Sequence, residues 1–136
     1  MKRSIFLFLV IFLISCSSND PEFTNLVSGK KWESHIIEEG SNHVSHFYPG
    51  YNIGNDSTGA YFLFLLIITD KGDTISESRY DPRFFSYTQQ SQENYTFNFN
   101  GVVGFYDPYT LPAQLIQGQL LIDDIALDEV EKLFWE

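Results

Sequence analysis

All three histidines of this 136-residue chain, His35, His43 and His46, fall within twelve residues of one another. Imidazole is the commonest metal ligand and the side chain whose ordinary titration lies nearest neutrality. The segments around the histidines alternate polar and apolar residues and are separated by Glu39-Gly40-Ser41-Asn42, a turn composition, so the spacing predicts a β-hairpin. A four-residue loop makes facing residue numbers sum to 81, which sets His35 against His46 and Ile37 against Val44. Directly opposed side chains sit about 5 Å apart at Cβ. That is close enough to share a metal ion, and Glu33 on the same face adds a carboxylate oxygen. A one-residue slip disperses the trio, and metal-free surface or half-buried histidines are the alternative reading.

Other oxygen donors lie in turn-like segments. Asn55, Asp56, Asp70 and Asp73 occupy glycine-bearing stretches but lack the spacing and terminal glutamate of an EF-hand loop, so turn chemistry accounts for them. Asp123-Asp124 and Asp128-Glu129-Glu131 read as a solvated acidic end. No Gly-x-Ser-x-Gly elbow, His-Glu-x-x-His pair or phosphate-binding glycine loop is present, and the single cysteine leaves no partner for redox work. The chain reads as a non-enzyme with no cofactor.

Aromatic residues make up 17% of the chain. Tyr48, Tyr51, Tyr106 and Tyr109 flank predicted loops, where flat amphipathic rings can stack on sugars or grip a protein partner, whereas the phenylalanines are assigned to the core. A hydrophobic content of 43% excludes a disordered chain. The 18 acidic against 8 basic residues, net −10, argue against a nucleic-acid partner, which would need lysine and arginine to neutralise phosphates.

The elements that must position these residues are mostly strands. Lys31 to Glu38 and His43 to Tyr48 form the hairpin described above, and Pro49-Gly50 with the stretch 52–59 reads as loop. Tyr61 to Thr69 is nearly all Phe, Leu and Ile, too short to cross a membrane as a helix, and predicts a central strand covered on both faces. Asp70-Lys71-Gly72-Asp73 is a hairpin turn that returns Thr74 to Arg79. Phe84 to Thr88 is a short strand, and Tyr95, Phe97 and Phe99 alternate with polar residues as a half-buried one. Gly101 to Tyr106 continues or turns, and Gln114 to Gln117 and Gln119 to Ile122 are extended, with a bulge at Gly118. The last segment reads as a closing strand, with a short C-terminal helix as the alternative. The expected fold over residues 24–136 is therefore all-β or β-rich: a single antiparallel β-sandwich or small β-barrel of about seven or eight strands.

Lys2 and Arg3 followed by an apolar run from Ile5 to Ile14 have the form of an export signal. The run ends in Leu13-Ile14-Ser15-Cys16, which resembles the bacterial lipobox. The resemblance implies that residues 1–15 are cleaved and Cys16 is acylated, with residues 16–23 as a tether between lipid and fold. Several acyl chains anchor a protein far more firmly than one. Loss of Lys2 and Arg3 leaves 6 basic against 18 acidic residues, net −12. The leader and the Phe-, Tyr- and Asn-rich composition resemble small lipoproteins of the Bacteroidota, which implies the cell envelope, at the outer membrane, on its periplasmic or surface face. In that group Asp56-Ser57-Thr58 and Asp73-Thr74-Ile75 resemble O-glycosylation acceptors, implying glycans on Ser57 and Thr74.

Leu26-Val27-Ser28-Gly29-Lys30-Lys31-Trp32 resembles the opening of the lipocalin superfamily, which implies a barrel with a ligand cavity. Two functions follow as expectations. One is a lipid-anchored binding or interaction module for a protein or glycan; the other is a lipocalin-like carrier of a small apolar ligand.

Overall fold

Alternation along the chain becomes burial in three dimensions. Tyr95, Phe97 and Phe99 turn inward and are buried, while Thr96 and Asn98 between them stay half-exposed. A computed structural model describes residues 22–136; the predicted leader, Cys16 and most of the tether lie outside the described residues.

Ten strands form among the described residues, all paired antiparallel: β1 (Lys31–Glu33), β2 (Ile36–Glu39), β3 (His43–Ile53), β4 (Thr58–Thr69), β5 (Thr74–Arg79), β6 (Arg83–Gln89), β7 (Asn94–Phe99), β8 (Tyr109–Ile116), β9 (Gln119–Ile122) and β10 (Ile125–Val130). Eight of them close into a barrel in the order β3-β1-β10-β9-β8-β7-β6-β4, with β4 pairing back onto β3. Closure removes the unpaired edges of an open sheet. The fold is thus a small barrel rather than a sandwich, with β2 and β5 as additional strands. No helix occurs among the described residues. The last segment is the closing strand β10 followed by a turn, which corrects the alternative of a C-terminal helix.

The length of β3 and β4 shapes the molecule. They pair over eleven residue pairs, from His43↔Thr69 to Ile53↔Gly59. In the half nearest the 54–57 turn, β1 flanks β3 and β6 flanks β4; in the other half their places are taken by β2 and β5. A four-stranded sheet, β2-β3-β4-β5, therefore runs out of the barrel wall. Pro49-Gly50 lies inside β3, and the predicted 52–59 loop shrinks to 54–57. β1 and β2 are one predicted strand interrupted opposite Pro49, which has no N–H for the ladder; Pro49 still accepts from Ser34 N at 3.0 Å.

The apolar β4 is not covered on both faces as predicted. Apart from buried Phe64, residues 61–69 are only half-buried, because most of that stretch lies in the projecting sheet and not in the barrel. Gly118 is likewise no bulge. With Gln117 it forms the two-residue turn between β8 and β9, both residues at positive φ.

Aromatic rings fill the barrel. Phe85 stacks on Phe97 with centroids 4.8 Å apart, and Trp32, Tyr87, Leu120, Ile122 and Leu127 complete the core. Full burial of a large apolar side chain contributes about 1.5–3 kcal/mol, so the domain needs no disulfide.

The two ends of the barrel differ. The incoming chain is held at one end, where Asn25 Nδ2 donates to the Tyr87 hydroxyl and Gln89 and Gln92 donate to Thr24 O. The 54–57, 90–93 and 117–118 turns share that end. The projecting sheet, the 100–108 loop and the 123–124 turn lie at the other.

Candidate binding site at the open end of the barrel

The histidine hairpin forms with a different register. Gly40 N donates to His43 O, so the loop is the two residues Ser41-Asn42, and facing numbers sum to 83, with Ile37 opposite His46. A two-residue shift preserves the faces, since side chains alternate with period two. His35 and His46 therefore still meet, diagonally, with Nε2 of one 2.8 Å from Nδ1 of the other. His35 also stacks on Tyr48, and Tyr48 on Phe134, at centroid distances of 4.4 and 3.9 Å. Glu33 is engaged elsewhere. Its carboxylate accepts from Phe134 N at 2.8 Å, and burial raises its pKa above the usual range against that hydrogen bond. His43 lies against Gly40. Among the described residues no three His, Cys, Asp or Glu side chains are placed to hold a metal ion.

The other predicted positions are turn residues. Asp56 Oδ1 accepts from Thr58 Oγ1 and Thr58 N, which hold its carboxyl below the usual range. Ser57 is exposed beside it at φ 63°, and Thr74 is exposed at the start of β5. Asn55 Oδ1 accepts from Ser28 Oγ, and Asp73 closes the β4–β5 turn through its backbone on Thr69. Asp123-Asp124 makes the tight turn between β9 and β10.

Convergent polar chemistry is found at the open end. A cavity of about 290 Å³ enters the barrel there between Tyr51, Tyr61, Arg83, Tyr109 and Asp123, over an apolar floor that includes Leu111. Each strand delivers its residue by register. Tyr51 of β3 faces Tyr61 of β4, their rings 4.9 Å apart, and Tyr61 in turn faces Arg83 of β6. Tyr109 of β8 stacks on Phe99 at 4.7 Å. Arg83 Nη1 donates to the Tyr109 hydroxyl at 3.3 Å while its guanidinium covers the Tyr106 ring at 4.8 Å.

The electrostatics hold Tyr51, Tyr61 and Arg83 each in its protonated form. Burial, reinforced by Tyr61, Tyr109 and Asp123, pushes the Tyr51 hydroxyl far above the ordinary tyrosine range. Burial also raises Tyr61, against the opposing pull of Arg83. The hydrogen bond from Arg83 to Tyr109 raises the guanidinium further. The site thus offers neutral phenols, which both donate and accept, beside one fixed cation and one carboxylate. Tyr51 is 7% exposed, and neither its hydroxyl nor that of Tyr61 has a hydrogen-bond partner among the described residues.

Of the four tyrosines chosen from sequence, Tyr51 and Tyr109 line the cavity and Tyr106 supports Arg83 beside it. Tyr48 belongs to the projecting sheet. Tyr61, Arg83 and Asp123 were missed; the one available signal was Tyr61, the first hydroxyl in an otherwise apolar run. A larger hollow of about 550 Å³ under residues 101–108 is the inside of one loop, with Val103 fully exposed at its tip. No protein-family model matches this sequence, and no significant match is found among curated proteins or among solved structures.

Proposed function

We propose that the protein is a lipid-anchored, non-enzymatic binding module of the bacterial cell envelope, held at the outer membrane through Cys16, with a protein or glycan partner bound at the open end of the barrel. The observation that carries this reading is polarity of the barrel. The chain comes in at one end, against Tyr87, Gln89 and Gln92. The tyrosine-lined cavity opens at the opposite end. A lipid on Cys16, seven residues before Phe23, would leave that cavity facing away from the membrane. The acidic surface keeps such a module soluble and off anionic headgroups.

The closed eight-stranded barrel is compatible with the second reading, a lipocalin-like carrier of a small apolar ligand. A carrier needs interior room, however, and Phe85, Phe97 and Tyr87 occupy the barrel below the cavity. The binding-module reading is therefore favoured.

The test uses the full chain in its native host. The wild type is expected in the membrane fraction and Cys16→Ala in the soluble one. A photo-crosslinking residue at position 105, exposed on the 100–108 loop at the open end, should capture a discrete adduct, and one at position 117, on the tethered end, should not. Equal fractionation of the two forms, or adducts at 117 alone, sinks the proposal.

A further inference from the structure

We infer that the cavity at the barrel mouth takes one neutral pyranose ring, free or as the terminal residue of a glycan. This inference rests on the binding-module reading and names its ligand class. Size sets the first limit, because about 290 Å³ lies just below the roughly 300–1,000 Å³ span of small-molecule sites and admits no more than one ring-sized group.

Chemistry sets the second limit. An entirely apolar guest would cover the Tyr51 and Tyr61 hydroxyls and the free face of Arg83 without supplying partners, which is unfavourable for every polar group so buried. An anionic guest would gain Arg83 but meet Asp123 across the same opening, on a chain with 18 acidic and 8 basic residues. A cationic guest would meet Arg83. A neutral polyol ring satisfies all of them: its hydroxyls accept from Arg83 and exchange hydrogen bonds with the phenols, Asp123 accepts from a hydroxyl, and its C–H face lies on tyrosine rings and Leu111. The strongest single pointer is Tyr51, more than nine-tenths buried and lining the cavity, whose hydroxyl has no hydrogen-bond partner among the described residues and is not sealed off from the cavity.

The experiment titrates the full-length protein, with ring-labelled tyrosines, in phosphocholine micelles that carry no sugar headgroup. The probes are methyl glycosides of glucose, galactose, mannose and N-acetylglucosamine, with cyclohexanol and glucuronate as comparators. At least one glycoside should shift Tyr51, Tyr61 and Tyr109 saturably and leave Tyr48 unmoved. Tyr51→Phe should weaken that binding roughly three- to tenfold, the loss of one hydrogen bond, with the other tyrosine signals confirming an intact fold. Tyr48→Phe should leave it unchanged. An oligosaccharide ending in the same sugar binding more tightly identifies a glycan terminus; equal affinity identifies the free sugar, and both support the inference. No glycoside response at tens of millimolar, or a response to cyclohexanol or glucuronate alone, overturns it. A discrete adduct at position 105 without a glycoside response would overturn the pyranose assignment and leave the binding-module reading standing.

Discussion

Gly50 lies directly beneath Trp135: a Cβ on that glycine would stand 2.7 Å from the indole Cη2 and 3.0 Å from Leu133 Cδ2. The absence of a side chain in β3 is what lets the C-terminal residues fold back over the outside of the barrel. Leu133 is buried there, Phe134 stacks on Tyr48, and Trp135 packs on Phe62 at 5.0 Å. Gly50→Ala is therefore expected to lift this tail and to destabilise the domain by about 1–3 kcal/mol, the usual cost of overpacking. Denaturant unfolding measures the loss, and faster exchange of the Phe134 amide, which is bonded to Glu33, locates it. Unchanged protection of that amide would contradict the account.

Two glutamates give the same tail an opposed pH dependence. Glu136 accepts from Lys31 Nζ and from Leu133 N, and these hold its carboxyl below the ordinary range. Its stabilisation is complete above the ordinary glutamate value and is lost as pH falls through the lowered one. Glu33 is raised, by burial first and by Glu136 in addition, against the Phe134 hydrogen bond. Its contribution is complete below the ordinary value and is lost as pH rises through the raised one. Docking should therefore be tightest near pH 4.5, the ordinary glutamate value. Exchange protection at Phe134, corrected for intrinsic rates, should peak there. Glu136→Gln should flatten the acid limb, and Glu33→Gln the limb toward neutrality.

The turn at Asp123-Asp124 holds both residues in the left-handed region, at φ 49° and 63°. Ile122 pairs with Ile125 on either side, so this is a two-residue hairpin of the kind that favours Asn-Gly or Asp-Gly. An L-residue there is strained where glycine is not. Asp124→Gly should stabilise the protein by about 0.5–1 kcal/mol, seen as a higher denaturant midpoint at unchanged slope. A lower midpoint would mean that the Asp124 side chain supports the turn in some other way.

Much of the β-structure was legible because it is local. Tyr95, Phe97 and Phe99 announce which face of β7 is buried, and Asp70 to Asp73 announce the turn between β4 and β5. Period-two alternation is a property of the strand itself, and it survives whatever the strand packs against. Pro49-Gly50 misled for the opposite reason. Its meaning is not a turn but the approach of Trp135 from the other end of the chain, which no local window contains. The same holds for β4: an apolar run states that both faces avoid water, but not that most of it would leave the barrel and stand half-covered in a projecting sheet.

The candidate site divides in the same way. Residue type alone marked Tyr48, Tyr51, Tyr106 and Tyr109 as candidate rings, of which Tyr51 and Tyr109 line the cavity, and parity alone kept His35 and His46 on one face even though the predicted register was two residues out. Only barrel closure, β4 returning to β3 while β8 and the β9–β10 turn complete the opposite wall, could bring Tyr61, Arg83 and Asp123 to the same opening. Local alternation in the sequence is enough to say which side chains share a face of a strand, since that follows from backbone geometry one residue at a time. Tertiary structure decided which of them meet, since that depends on hydrogen-bonded pairings between segments far apart in the chain.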